Sequence, residues 1–125
     1  MNALNMAKTA YAAAQAPIRT PRSTEYEAFA RITHLLKSSA TKGRAGFAQL
    51  AEAIHMNRSL WTLLAADVSD ENNGLPKDLR AQLFYLAEFT NQHSQKVLNG
   101  EDSVEALIEI NTAIMRGLRG SEVPV

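Results

Sequence analysis

Apolar residues recur along this chain at three- and four-residue steps, the spacing that lines one face of an α-helix. No stretch shows the two-residue alternation of a half-buried strand. The cleanest stripe is the last: Val104, Leu107, Ile108, Asn111, Ile114, Met115 and Leu118. Its acids, Glu101, Asp102, Glu105 and Glu109, cluster toward the N-terminal end, and Arg116 and Arg119 toward the C-terminal end, as the helix dipole favours. Either Asp102 with Glu105 forms a capping box, or Ser103 caps the helix directly.

Three further stretches follow the same period. Thr24 and Glu27 read as a Thr-x-x-Glu capping box, after which Tyr26, Phe29, Thr33, Leu36 and Ala40 repeat until Gly43, a residue suited to a left-handed C-terminal cap. A new stripe of Phe47, Leu50, Ala51 and Ile54 meets the polar run His55, Asn57, Arg58 and Ser59, then resumes at Leu60, Trp61, Leu64 and Val68. This predicts two helices with a break near Asn57; a single kinked helix is the alternative. Residues 70–74 have loop composition, and Pro76 opens the longest predicted helix, over 76–98, ended by Asn99-Gly100. Leu79, Leu83, Leu86, Ala87, Thr90 and Val97 mark one face of it, but Phe84, Tyr85 and Phe89 widen the apolar arc beyond an ordinary stripe. Such a helix is either central in the bundle or covered by a partner.

The N-terminus differs. Residues 3–14 are Ala-rich, with a weak pattern of Leu4, Ala7, Tyr11 and Ala14, and Pro17 and Pro21 break any helix there. The expected architecture is all-α: a small bundle of about five helices over 23–120, a mobile, partly helical arm over 1–22, and a disordered tail over 121–125. At 125 residues one core is the default. Much of the 46% hydrophobic content is alanine, so the large side chains carry most of the burial energy.

Composition narrows the function. The chain has no cysteine, which fits a reducing compartment and leaves no thiolate site. Ala14-Gln15-Ala16 superficially resembles a signal-peptidase site, but Asn2, Asn5, Lys8, Thr9 and Gln15 interrupt any apolar core of a signal peptide. No segment approaches the roughly 20 apolar residues of a membrane span. A soluble, cytoplasmic protein is expected. Formal net charge is zero, yet residues 1–62 carry eight Lys or Arg against three acids, and residues 63–125 carry five against ten. The two halves either attract each other within one fold or leave the basic half facing an acidic partner.

Candidate chemistry is sparse. His34, His55 and His93 lie too far apart for a metal motif, and each reads as a surface or helix-end residue. Gly43-Arg44-Ala45-Gly46 lacks the Lys-Ser/Thr ending and preceding strand of a phosphate-binding loop. Neither catalysis nor a cofactor is expected. Arg31, Lys37, Lys42 and Arg44, with His34, form the only candidate nucleic-acid face, without interleaved aromatics or a recognisable RNA module. Protein binding has more support. Trp61, Phe84, Tyr85 and Phe89 are aromatics of the kind that anchor partners, although Trp61 reads first as a core residue. Asn111, inside an apolar stripe with Ile114 and Leu118, fixes either a partner's register or a hydrogen-bonded position within the monomer.

Several strings together resemble a known family: Arg22-Ser23-Thr24-Glu25-Tyr26-Glu27-Ala28-Phe29, Asn57-Arg58-Ser59-Leu60-Trp61, Asn73-Gly74-Leu75-Pro76 running into Leu79-Arg80-Ala81, and Ile110-Asn111-Thr112-Ala113-Ile114-Met115-Arg116-Gly117-Leu118. The chain is similar over essentially its whole length to the FlaF regulators of flagellar biosynthesis in alphaproteobacteria. The resemblance implies a cytoplasmic factor needed for flagellin production and export, a chaperone or adaptor binding flagellin, working alongside the translational regulator FlbT. Its alternative is post-transcriptional control through flagellin mRNA or FlbT. Flagellin ends carry amphipathic helices, which a helical bundle can cover by the helix-in-groove mode. The expected contact residues are Trp61, Phe84, Tyr85, Phe89, Asn111, Ile114 and Leu118, with Arg31, Lys37, Lys42 and Arg44 facing nucleic acid under the alternative.

Overall fold

The computed structural model describes the backbone of residues 21–120 and the surroundings of side chains 25–117. Four α-helices run α1 (Pro21–Ala40), α2 (Phe47–Ser69), α3 (Lys77–Leu98) and α4 (Glu105–Gly120), with a 3-10 turn, Gly43–Gly46, between the first two. No strand occurs among the described residues. The tail expected at 121–125 and all but the last two residues of the arm expected at 1–22 lie outside them.

Three sequence expectations need correction. The first helix begins at Pro21, ahead of the expected cap at Thr24. Proline is tolerated there because the first-turn N–H has no intrahelical partner to lose. The second helix is continuous for 23 residues, so four α-helices replace the five expected, and α2 exceeds the 22-residue α3 in length. No break occurs at Asn57 because that side chain is fully buried and finds a hydrogen-bond partner across the core. His93, expected at the surface or a helix end, is buried near the end of α3; its Nε2–H donates to the Ser103 carbonyl at 2.8 Å, tying α3 to the turn that follows it. His34 and His55 are exposed.

Short connections make consecutive helices antiparallel neighbours. α2 packs on α1 and α3, and α4 returns to pack on α1, while the α3–α4 seam is the sparsest. The core has two apolar clusters. Phe29, Trp61, Leu64, Val68, Leu75 and Leu83 form one, and Ile32, Leu36, Ile54, Val97, Val104 and Leu107 the other. Burying each large aliphatic or aromatic side chain contributes about 1.5–3 kcal/mol. Phe29 meets Trp61 edge-to-face at 5.6 Å between centroids.

The turns follow their local chemistry. Gly100 takes φ +78°, with its N–H on the Val97 carbonyl and the Glu101 N–H on the Lys96 carbonyl, the paired bonds of a Schellman cap. Gly46 is needed for space: a Cβ there would lie 2.6 Å from the Ser39 carbonyl oxygen. Arg80 Nη1 donates to the carbonyls of Val68 and Asp70, capping the end of α2 from α3. Ser103 Oγ accepts from the Glu105 N–H at 2.9 Å, so Ser103 caps α4 directly.

Candidate binding surface

The core holds a polar relay between helices that face each other across it. Trp61 Nε1 donates to Asn111 Oδ1 at 3.0 Å, and Asn111 Nδ2 donates to Asn57 Oδ1 at 2.8 Å. All three residues are at most 1% exposed. Asn57 and Trp61 stand one turn apart on α2, the spacing that lets both reach one side chain on α4. Trp61 and Asn111, each read as either interior or partner-facing, therefore serve the interior. Of the two readings of Asn111, the bonded position within the monomer is the one seen. Thr33, Thr90 and Ser94 bring further buried hydroxyls from α1 and α3.

The wide apolar arc of α3 divides by angle. Leu83, Ala87, Thr90 and Val97 face inward, whereas Phe84 and Tyr85, turned about 100° and 200° from Leu83, are 42% and 67% exposed. Phe89 is half-buried and stacks on His93 at 5.4 Å. Ile114 is half-buried and packs against the first core cluster, and the Leu118 side chain lies outside the described residues. Sequence reasoning missed Leu63, the most exposed large apolar residue described at 70%. The available signal was the pair Leu63-Leu64, of which one helix face admits a single member.

Three open depressions follow one another along the α2–α3 seam, of about 580, 170 and 430 Å³. Adjacent ones share residues: Arg58, Thr62 and Asn91 belong to the first two, and Phe84 to the second and third. Arg58 spans the seam, donating from Nε and Nη2 to the single Oδ1 of Asn91 at 2.9 and 2.6 Å. Small side chains, Ala51, Ala65, Ala81 and Ala87, line it at intervals. Phe84 and Leu63 border these depressions; Tyr85 does not.

The basic set is dispersed. Arg31 and Lys37 are exposed on α1 but about 120° apart around it, and Lys42 and Arg44 lie at the following turn, where Lys42 Nζ donates to Gln49 Oε1 at 2.7 Å. Among the described residues no group of three His, Cys, Asp or Glu is placed to hold a metal ion, and no helix is long and apolar enough to cross a membrane.

These features define an all-helical bundle protein with a polar-pinned core and an apolar, arginine-spanned seam on one side. The chain belongs to the FlaF family: the family model for flagellar protein FlaF matches residues 7–118, nearly the whole chain and all four helices but the last two residues of α4. Neither a curated protein nor a solved structure gives a match.

Proposed function

We propose that this flagellar protein binds flagellin in the cytoplasm as a secretion chaperone or adaptor, promoting flagellin synthesis and export without catalysing a reaction or carrying a cofactor. The observation that carries the reading is the family match together with Leu63, Phe84 and Tyr85, large apolar side chains that the four described helices leave facing outward. Unpolymerised flagellin ends are amphipathic helices that need cover until export, and such helices bury their apolar face in grooves between helices.

Co-purification of the chain with its own flagellin, followed by calorimetric titration, tests the proposal. A complex at micromolar concentration with a negative heat-capacity change and little salt dependence is expected, since apolar burial would dominate. Absence of a complex refutes it and turns attention to control through FlbT or flagellin mRNA. Direct RNA binding would instead weaken steeply with salt and on removal of Arg31, Lys37, Lys42 and Arg44.

A further inference from the structure

The α2–α3 seam has the dimensions and lining of a helix seat. From Ala51 to Ser69 it runs alongside 18 residue steps of α2, about 27 Å or five turns. Its alanines let another backbone approach closely, and Leu63 and Phe84 supply exposed apolar side chains at its border. At its middle, Arg58 spends two N–H donors on one neutral amide oxygen. A carboxylate is the better partner for that planar fork, because two parallel charge-assisted bonds are stronger than bonds to an amide. Thr90, on the same central depression, has an Oγ with no hydrogen-bond partner among the described residues.

Charge narrows the occupant. Arg58, Lys77 and Arg80 border the depressions against one acid, Glu88, so the seam favours an acidic helix. This chain's own residues 1–20 contain Lys8 and Arg19 and neither Asp nor Glu, so they have no carboxylate to offer Arg58. We propose that the α2–α3 seam seats one amphipathic helix of flagellin, with a carboxylate of that helix replacing Asn91 on the guanidinium of Arg58. The proposal rests on flagellin being the partner and adds where it binds and which chemistry selects it.

The test is calorimetric titration of full-length chain with its own monomeric flagellin, for wild type, Arg58→Glu, Thr62→Trp and Leu35→Asp, each checked for unchanged helical circular dichroism. Thr62 is exposed and borders two depressions, so tryptophan there fills the seam without entering the core. Leu35 is exposed on the α1–α2 side and serves as the control. Arg58→Glu and Thr62→Trp should each weaken binding at least tenfold, with Leu35→Asp unchanged. Binding by wild type that both seam variants retain overturns the seam while leaving flagellin as partner. No binding by wild type overturns both readings. Tighter binding after deletion of residues 1–20, or a homodimer that Thr62→Trp dissociates, assigns the seam to this chain itself and overturns the proposal.

Discussion

Replacing Asn111 by alanine probes the relay at its centre. The change removes both bonds at once, stranding the Trp61 Nε1–H and the Asn57 Oδ1 in the interior. Each buried group left without a partner costs about 1–3 kcal/mol, so a loss of about 2–6 kcal/mol follows, with a small cavity added. Against a total stability of about 5–15 kcal/mol for a domain of this kind, that brings the protein near its unfolding threshold. Urea denaturation read by helical circular dichroism and by the fluorescence of Trp61, the single tryptophan, measures it. The informative comparison is the triple variant Asn57→Leu, Asn111→Leu and Trp61→Phe, followed by circular dichroism. It removes donors and acceptors together and should fall within about 1–2 kcal/mol of wild type, because apolar replacement of all the partners leaves nothing stranded. A loss below about 1 kcal/mol for Asn111→Ala, or a triple variant no more stable than that single one, would refute the reasoning.

The other expectations concern turns and surface. Gly46→Ala should lose about 1–3 kcal/mol by overpacking, because its Cβ has backbone at 2.6 Å, whereas Gly100→Ala meets no atom within 4 Å and should lose about 1–2 kcal/mol from its φ of +78° alone; thermal or urea unfolding ranks the pair. Arg80→Ala frees two carbonyls at the end of α2 and should lower stability by about 1.5–3 kcal/mol, with faster amide exchange confined first to residues 66–76. Leu63→Ser should leave stability within about 0.5 kcal/mol, since Leu63 faces solvent, while lowering flagellin affinity in the same titrations.

Much of the architecture is legible locally. Gly43 and Gly100 mark helix ends because positive φ favours glycine, and both have it. The inward residues of α3 and α4 follow from a 3.6-residue period. What local reading misses depends on partners distant in sequence. Asn57 resembles a break because a polar residue interrupts an apolar stripe, yet its bond is to a residue 54 positions away. His93 likewise reads as a surface or helix-end residue until the Ser103 carbonyl arrives at its ring. The excess of aromatic residues on α3 shows in the sequence, but which of Phe84, Tyr85 and Phe89 face outward depends on where α2 and α4 lie. Leu63 escapes notice for the same reason. The seam itself combines two helices and one long-range pair, Arg58 with Asn91, and no single stretch encodes it.

The return of α4 onto α1 bears on how the chain is made. α1 and α4 are packing partners, and Trp61 Nε1 and Asn57 Oδ1 both bond to Asn111. Synthesis from the N-terminus makes α1, α2 and α3 before the side chain that bonds Trp61 and Asn57. The closing contact is available only once α4 has left the exit tunnel. Until then the indole N–H of Trp61 lacks its Asn111 acceptor and the side of α1 that α4 covers is open, so the core closes only when α4 is free to fold back.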